Sequence, residues 1–396
     1  MLMKQRMLLV VLSLVAVLDG MAVYYYHPPL KIYDDTLFVA SSDGIYAYDL
    51  KEKDAELKPY AFEGLKMIHF AKSGARMLVA GMLDNTFVLL RSFDYGKTFE
   101  NITPDDAVQQ GSGCYHSIYQ MPDNPEHIYV VYSYKTNTKW FDYNRMVESY
   151  DFGEHWNNAM KTCPYDGLLA IDPSNSEHFI VYNRNTHVNC PCSFILETKD
   201  NFSSLANVPF VIEGERPSTP GERFYNVIFC PSNPQILLAA TNWGILKSTD
   251  MGLTWKQNPA LSNMNWHDGS KLLMDPNNLQ RVYAIRYESH GGNFYSWRIY
   301  RSEDSGDTWQ LFYEPEIENS GNGFDTTIYG NELINVDNNL EITRIPLGDS
   351  PTSVSTLKHG NGEKGNNAHD LQGRRLDGQP ISKGIYIQNG KKVVVK

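Results

Sequence analysis

The chain has 396 residues and a formal net charge of −11, from 35 Lys and Arg residues against 46 Asp and Glu residues. This acidic balance argues against nucleic acid as a partner, because phosphate binding needs a basic surface. Aromatic residues make up 12% of the chain and charged residues only 20%, with no long helical heptad pattern. This composition favours an all-β protein, and a repeat architecture can use most of this length as one domain.

The N-terminus has the pattern of a secretory signal. Lys4 and Arg6 precede an apolar run from Met7 to Leu18, and a small residue, Ala22, follows shortly afterwards. The run is about a dozen residues long, which is short for a bilayer span. We predict a signal peptide over residues 1–22 with cleavage near Ala22, and an uncleaved anchor is the alternative.

Over residues 23–357 a strand–turn–strand unit repeats. An apolar strand leads into a Pro/Asn turn, as at Asp172–Asn175 and Asp275–Asn278, and a second apolar strand, a loop and a third strand follow. Hairpins between the second and third strands are predicted at 36–48, 77–93, 127–150, 178–198, 236–249, 282–303 and 333–344.

Four of the third strands end in an octapeptide with the pattern Ser-x-Asp-x-Gly-x-Thr-Trp. The copies begin at Ser92, Ser149, Ser248 and Ser302, and a degraded copy begins at Thr198, where Phe202 replaces the glycine. An aspartate can accept hydrogen bonds from the amides of its own turn, and glycine adopts a positive φ at little cost. The carboxylates are therefore predicted to be structural rather than catalytic: Asp94, Asp151, Asp250 and Asp304.

The octapeptide resembles the Asp-box, or BNR repeat, so the chain resembles the sialidase-like and sortilin-like propeller superfamily. The resemblance implies an all-β fold, a single β-propeller of four-stranded antiparallel blades. The seven hairpins predict seven blades, with six or eight as alternatives. The first and last hairpins lack the octapeptide, and ring closure is predicted to mix N-terminal and C-terminal strands.

Strand order divides the loops between two faces. The Pro/Asn turns and the octapeptides share one face, the octapeptide face. The second-to-third-strand loops and the blade-to-blade crossovers share the other, which surrounds the channel entrance and is called the mouth face. Ligand sites in closed β architectures favour such entrances.

The mouth face is predicted to carry aromatic, cationic and carboxylate side chains that suit a glycan or a peptide. The predicted ligand-binding residues are His116, Arg184, Arg223, Trp243, Trp266, His267 and Arg286. Glycoside hydrolysis needs two carboxylates about 5 to 9.5 Å apart, and the candidates are Asp166, Asp268 and Asp325. The alternative is that the aromatic residues and arginines only cap the blades, and that His116 and His267 are buried structural residues.

The five cysteines divide between the two faces. Cys114, Cys163, Cys190 and Cys192 fall in mouth-face loops, whereas Cys230 ends an inner strand. In an exported protein this grouping predicts one or two disulfides, with Cys163 and either Cys190 or Cys192 as the nearest candidates. Cys230 is predicted to be a buried free thiol. No metal or other cofactor is predicted, because the thiols lack a recognised ligand spacing.

The C-terminus has its own pattern. Residues 358–368 are Gly/Asn-rich and predict a flexible linker, and residues 369–396 predict two short strands joined by Asn389-Gly390. This tail resembles the sorting modules of type IX secretion substrates in its Gly384-Ile-Tyr-Ile and Gly390-Lys-Lys-Val-Val-Val-Lys strings. The resemblance implies a Gram-negative protein at the outer-membrane surface or outside the cell, with the outer-membrane secretion machinery as a partner. One more edge hairpin of the main domain is the alternative.

These patterns predict an exported or surface-attached propeller that binds a glycan or protein ligand at its mouth face, without an assigned catalytic activity. The alternative is a secreted glycoside hydrolase, sialidase-like or another exo-acting glycosidase. In sialidases an Arg-Ile-Pro motif precedes the first Asp-box, but here Arg344-Ile345-Pro346 follows the last one, so this match is out of order. A purely structural envelope protein is a third hypothesis.

Overall fold

Short apolar strands separated by tight turns form seven blades of four antiparallel strands in the computed structural model, which confirms the predicted all-β propeller. The residues that the structure describes are 30–41, 44–52, 55–61, 65–83, 86–107, 116–121, 123–134, 143–163, 167–183, 195–208, 211–213, 224–262, 266, 270–289, 295–315, 324–337, 340–348, 355–357, 368–369, 384–388 and 391–395. Within these ranges there is no helix, and hence none of the length and hydrophobicity that a membrane span requires.

Blades 1 to 4 follow one another along the chain. Blade 1 consists of β1 (Leu30–Tyr33), β2 (Thr36–Ser41), β3 (Gly44–Asp49) and β4 (Lys58–Ala61). Blade 2 consists of β5 (Leu65–Ser73), β6 (Arg76–Leu83), β7 (Thr86–Ser92) and β8 (Glu100–Asn101). Blade 3 consists of β9 (His116–Gln120), β10 (Ile128–Tyr134), β11 (Tyr143–Ser149) and β12 (Asn157–Cys163). Blade 4 consists of β13 (Gly167–Asp172), β14 (Asn175–Asn183), β15 (Ile195–Thr198) and β16 (Ala206–Val208).

Blades 5 to 7 complete the ring. Blade 5 consists of β18 (Phe224–Cys230), β19 (Asn233–Thr241), β20 (Gly244–Ser248) and β21 (Thr254–Gln257), and β17 (Val211–Ile212) pairs in parallel with β21. Blade 6 consists of β22 (Lys271–Asp275), β23 (Asn278–Ser289), β24 (Tyr295–Ser302) and β25 (Gln310–Tyr313). Blade 7 consists of β26 (Phe324–Tyr329), β27 (Glu332–Asp337), β28 (Ile342–Pro346) and β29 (Ser355–Leu357).

The seven predicted hairpins are present, but the predicted mode of ring closure is wrong. Blade 1 uses β1 to β4 and blade 7 uses β26 to β29, so neither end of the ring borrows a strand from the other. The sequence was ambiguous here because β1 is only four residues long and its lysine, Lys31, interrupts the apolar pattern. The first blade therefore supplies its own inner strand.

Side-chain packing closes the ring instead. Each pair of neighbouring blades shares an apolar cluster, and seven such clusters occur among the described residues. Between the last and first blades, Ile334 and Val336 pack with Leu30, Leu37 and Val39. The second strand of a blade lies between two such interfaces, so it is apolar on both faces and buried throughout most of its length, as in β6.

The octapeptides form a hydrogen-bonded turn of constant geometry. In the copy that begins at Ser302, the serine hydroxyl donates to Asp304 Oδ1 at 2.8 Å and accepts from the Gly306 amide at 2.8 Å. The amide and hydroxyl of Thr308 donate to the Asp304 carboxylate at 2.8 and 2.6 Å. Both Ser305 and Gly306 have positive φ, 54° and 88°, so the turn needs two left-handed residues where the pattern suggested one.

The degraded copy in blade 4 keeps this geometry. The Phe202 amide donates to Thr198 Oγ1 at 2.9 Å, and the Ser204 amide donates to Asp200 Oδ1 at 2.8 Å. Phe202 adopts a φ of 63°, which is costly for a bulky side chain. Its ring is buried and stacks on Phe179 with centroids 4.9 Å apart, which offsets that cost.

The C-terminal tail forms a three-stranded antiparallel sheet. Its strands are β30 (Ala368–His369), β31 (Gly384–Gln388) and β32 (Lys391–Val395). Pairing of Gln388 with Lys391 places the Asn389-Gly390 dipeptide between β31 and β32, where the sequence predicts a hairpin. The third strand, β30, was not predicted, because two residues are too few to carry a pattern.

Candidate functional site

The inner strands of the blades all begin at the mouth face, because each follows a crossover from the previous blade. The residues that open β1, β18, β22 and β26 therefore form one layer at the channel entrance. This layer brings together side chains from blades 1, 5, 6 and 7, and three of them are charged: Lys31, Lys271 and Asp325. We call this trio the entrance cluster.

Asp325, one of the three predicted catalytic candidates, connects three blades. Its Oδ2 accepts a hydrogen bond from the Leu30 amide of blade 1 at 3.2 Å. Its Oδ1 accepts from the amide of Thr326 at 2.8 Å and forms an ion pair with Lys271 of blade 6. The carboxylate is thus neutralised and holds the seam between the last and first blades.

Lys31, the second residue of β1, is influenced by the charges of Lys271 and Asp325. The side chain keeps some solvent exposure, yet burial is the largest influence on the pKa of its ammonium group and lowers it. The positive charge of Lys271 lowers the pKa of Lys31 further, and Asp325 opposes this effect. Among the described residues the ammonium group of Lys31 makes no hydrogen bond or close ion pair, and Asp325 acts on it only as a nearby charge.

The sequence interpretation missed both lysines. It placed the site in the loops that precede the inner strands, whereas Lys31 and Lys271 are the second and first residues of their strands. The available signal was a charged residue at the start of an otherwise apolar inner strand, repeated in blades 1, 6 and 7. Only the ring brings these strands together, since residues 31 and 325 lie far apart in the sequence.

Arg286 lies in the long mouth-face hairpin of blade 6, where it is 7% exposed. Its Nη2 is 3.0 Å from Glu288 Oε1, and Nη1 of Arg298 is 3.1 Å from Glu288 Oε2. Two guanidinium groups therefore enclose one carboxylate across the hairpin, which is a stabilising arrangement for a long β-ladder. This pairing leaves Arg286 and Glu288 engaged with protein groups.

The two predicted tryptophans differ in accessibility. Trp266 is 4% exposed, packs in the cluster between blades 5 and 6, and donates its indole N–H to the Leu261 carbonyl at 3.3 Å. Trp243 is partly exposed at the tip of the β19–β20 hairpin, where its carbonyl accepts from the Gln257 amide group at 2.7 Å. Trp243 also packs against the apolar cluster between blades 4 and 5, and it is the more accessible tryptophan of the two.

Several predicted site residues lie outside the described part of the chain. His116 begins β9, but its side chain is not described. The others are Arg184, Arg223, His267, Asp166 and Asp268. The placement of these residues on the mouth face stays a prediction.

The octapeptide carboxylates occupy the opposite face and are engaged by their own turns. Hydrogen bonds from the side chain and amide of Thr98 lower the pKa of Asp94 to about 2. Burial raises the pKa of Asp304, but hydrogen bonds from Thr308 and Ser302 outweigh it and lower the pKa overall. A carboxylate held ionised by three or four hydrogen bonds within its own turn is a poor general acid.

The described cysteine of the inner strands, Cys230, is a buried free thiol as predicted. The disulfide candidates, Cys190 and Cys192 together with the side chain of Cys163, fall outside the described residues. Within the described ranges no group of three or more His, Cys, Asp or Glu side chains has the arrangement of a metal site.

The sequence matches no protein-family model and no curated protein. The fold is similar to that of solved propellers. One is the GH74 xyloglucanase from Xanthomonas campestris, with a TM-score of 0.56 and 14% identity over 89% of this chain. YCF48 bound to a D1 peptide has a TM-score of 0.52 and 12% identity over 81% of this chain. A puromycin-hydrolysing peptidase of Mycobacterium tuberculosis has a TM-score of 0.52 and 10% identity over 93%.

The lengths of these proteins differ from that of the chain. The chain spans 56% of the xyloglucanase and 58% of the peptidase, but 94% of YCF48. At such low identities the likeness extends to the fold alone. The common element is a propeller of this kind, and the chemistry must be argued from the side chains of the chain itself.

Proposed function

We propose that this protein is a ligand-binding propeller that holds a glycan or a protein ligand at its mouth face. The observation that carries the proposal is the state of the mouth-face carboxylates. Two of the described mouth-face carboxylates are already paired: Glu288 lies between two arginines and Asp325 pairs with Lys271. A carboxylate whose oxygens already contact arginine or lysine side chains is poorly placed to contact the leaving-group oxygen of a substrate as well.

Binding requires less of the site than catalysis does. A partly exposed aromatic ring, Trp243, and charged groups at the channel entrance are sufficient for a polar ligand. YCF48, whose chain length this protein nearly spans, has a structure with a bound peptide, which supports a binding role for a lone propeller. The proposal includes export, with the N-terminal segment as the signal and residues 369–396 as the sorting tail.

The alternative is a glycoside hydrolase that uses Asp166 and Asp268. The observation in its favour is the similarity in fold to a GH74 xyloglucanase. That enzyme is nearly twice as long as the part this chain spans, so one propeller would have to supply both carboxylates here. The two hypotheses make opposite predictions for turnover.

The deciding experiment combines a glycan and peptide array with a panel of aryl glycosides. Binding without turnover, weakened in Trp243→Ala and unchanged in Tyr95→Ala, supports the binding proposal. Tyr95 is a matched control, because it is an exposed aromatic residue on the octapeptide face. Turnover that is lost in Asp166→Ala or Asp268→Ala would establish the hydrolase instead.

A further inference from the structure

Trp243 lies at a hairpin tip whose backbone is fixed by hydrogen bonds. Its amide donates to Thr241 Oγ1 at 3.2 Å, and its carbonyl accepts from the side-chain amide of Gln257 at 2.7 Å. The Thr241 hydroxyl also donates to the Gly244 carbonyl at 3.0 Å, which closes the turn. The tip therefore holds the indole in place before any ligand arrives, which reduces the conformational entropy that binding would cost.

The tip is also held against the crossover that follows blade 5. A Cβ on Gly244 would lie 2.3 Å from the carbonyl oxygen of Leu261, so the two segments are in close contact. Trp243 itself packs against the apolar cluster between blades 4 and 5 and remains partly exposed. The face of an aromatic ring is electron-rich, so it packs well against the C–H groups on one face of a pyranose.

The polar groups beside the indole are uncharged. Segments 241–246 and 257–262 contain amide and hydroxyl side chains but no Asp, Glu, Lys, Arg or His. Asn242 and Gln257 are both partly exposed. Because side-chain amides donate and accept hydrogen bonds, as sugar hydroxyls do, these side chains match a neutral carbohydrate.

Several charged groups elsewhere on the mouth face are already paired with protein groups. The pairs are Arg145 with Asp106, Glu288 with Arg286 and Arg298, and Lys271 with Asp325. A charged ligand would compete with these pairs, whereas a neutral hydroxyl can hydrogen-bond to a paired group without separating it. Lys31 shares the face of β1 that carries Tyr33, which packs towards blade 2, and blade 2 does not adjoin blade 5.

We propose that Trp243 is a stacking platform for a neutral sugar ring and that Gln257 is the residue that positions it. This inference rests on the proposed function, since it names the class of ligand that the mouth face selects. The strand pairing of blade 5 favours a sugar over a peptide here. Among the described strands, β19 and β20 pair with their neighbours and β17 occupies the outer edge of β21, so blade 5 offers no free edge there for strand addition.

Calorimetric titrations would compare ligands that differ in charge and in chemical class. The neutral probes are cellohexaose, mannohexaose and xylohexaose, the acidic probe is hexagalacturonate, and N-acetylated, C-amidated trialanine represents a peptide. At least one neutral hexasaccharide should bind at least about tenfold more tightly than the acidic probe and the peptide. Its affinity should be the same at low and at high ionic strength, because no ion pair forms on binding.

Variants separate contact with the sugar from positioning of the indole. Trp243→Ala should weaken binding of the neutral hexasaccharide at least about tenfold, and Trp243→Phe should retain most of the affinity because it keeps an aromatic ring. Gln257→Met loses the hydrogen bond to the Trp243 carbonyl and should weaken binding about threefold to tenfold. The ligand should still change the tryptophan fluorescence of Gln257→Met, but not that of Trp243→Phe. Tyr95→Ala, which removes an exposed aromatic ring from the octapeptide face, is the control and should leave the affinity unchanged.

The sugar platform is refuted if no neutral hexasaccharide binds more tightly than the acidic probe, or if the binding survives Trp243→Ala. If hexagalacturonate binds and Arg184→Met or Arg223→Met abolishes that binding, mouth-face binding stands and the ligand is acidic instead. If only the peptide binds, the proposed function stands in its protein-ligand form and the sugar platform falls. If neither the array nor these probes show binding, the proposed function and the platform fall together.

Discussion

Gly244 should be the least replaceable glycine of the mouth face. It begins β20 directly after Trp243, and its φ of 123° lies in a region that residues with a side chain rarely adopt. A Cβ placed on this glycine would lie 2.3 Å from the carbonyl oxygen of Leu261. That carbonyl cannot move away easily, because the Leu261 side chain is buried and the oxygen accepts a hydrogen bond from Trp266.

The expected loss of stability in Gly244→Ala combines the cost of the strained φ with the cost of the steric clash. A side chain at such a φ costs on the order of 1–3 kcal/mol, and forcing an extra methyl group into a packed site costs typically 1–3 kcal/mol. We expect Gly244→Ala to lower the free energy of unfolding by about 4 kcal/mol. Gly74→Ala is the matched control, because its φ is also positive, 57°, and nothing lies within 4 Å of the added methyl group. It should cost about 1 kcal/mol.

Urea denaturation followed by tryptophan fluorescence would measure both variants on the same scale. The expected result is a difference of about 3 kcal/mol between Gly244→Ala and Gly74→Ala, from the costs given above. Weaker binding at Trp243 should accompany it, since the hairpin tip and the crossover at Leu261 must separate. The reasoning is refuted if the two variants unfold within about 1 kcal/mol of each other, the cost of the φ angle alone.

Four further predictions concern the turns and the ring. Because the pKa of Asp94 is lowered from 3.8 to about 2, its contribution to the free energy of unfolding is present above pH 4 and is lost as the pH falls towards 2. In Asp94→Asn the urea midpoint should therefore fall less steeply over this pH range. Phe202→Gly restores the glycine of the octapeptide pattern but should lower the free energy of unfolding, measured in urea, by about 2 to 3 kcal/mol. The reason is that burial of the ring contributes more stability than the strained φ costs. Asp325→Asn should lower stability by about 1 to 3 kcal/mol and speed amide hydrogen exchange in β1; unchanged exchange there would contradict the seam assignment. Because the pKa of Lys31 is lowered from 10.5, the folded protein binds fewer protons than the unfolded chain at alkaline pH, so stability should rise with pH towards 10.5, and Lys31→Met should remove that rise.

The fold could be predicted because its signals are local. Each octapeptide marks the end of a third strand, and the turns on either side of it fix the register of a whole blade, as the pairing of Val282 with Ser302 illustrates. Ring closure could not be predicted in this way. It depends on the packing of Leu30 and Leu37 against Ile334, which no local pattern records.

The site was less predictable for the same physical reason. Loop positions suggested that Trp266 and Arg286 were exposed, but crossovers and cross-strand partners bury both of them. Conversely, Lys31 gave no signal beyond one charge in a short strand. The charges that influence its pKa, those of Lys271 and Asp325, come near it only when the ring closes. Burial and charge pairing between distant segments are the quantities that a single sequence lacks.

The seam between blades 7 and 1 has a consequence for how the chain could be rearranged. Every backbone ladder of the ring lies within one blade, so the seam is in effect an intramolecular interface held by side chains and by the Leu30–Asp325 hydrogen bond. Only three residues, 62–64, connect β4 to β5, so an equally short linker from 357 to 30 would resemble the natural crossovers. A circularly permuted chain that starts at any other blade would then keep all of its ladders, and a different interface between blades would become the one that no chain connection crosses.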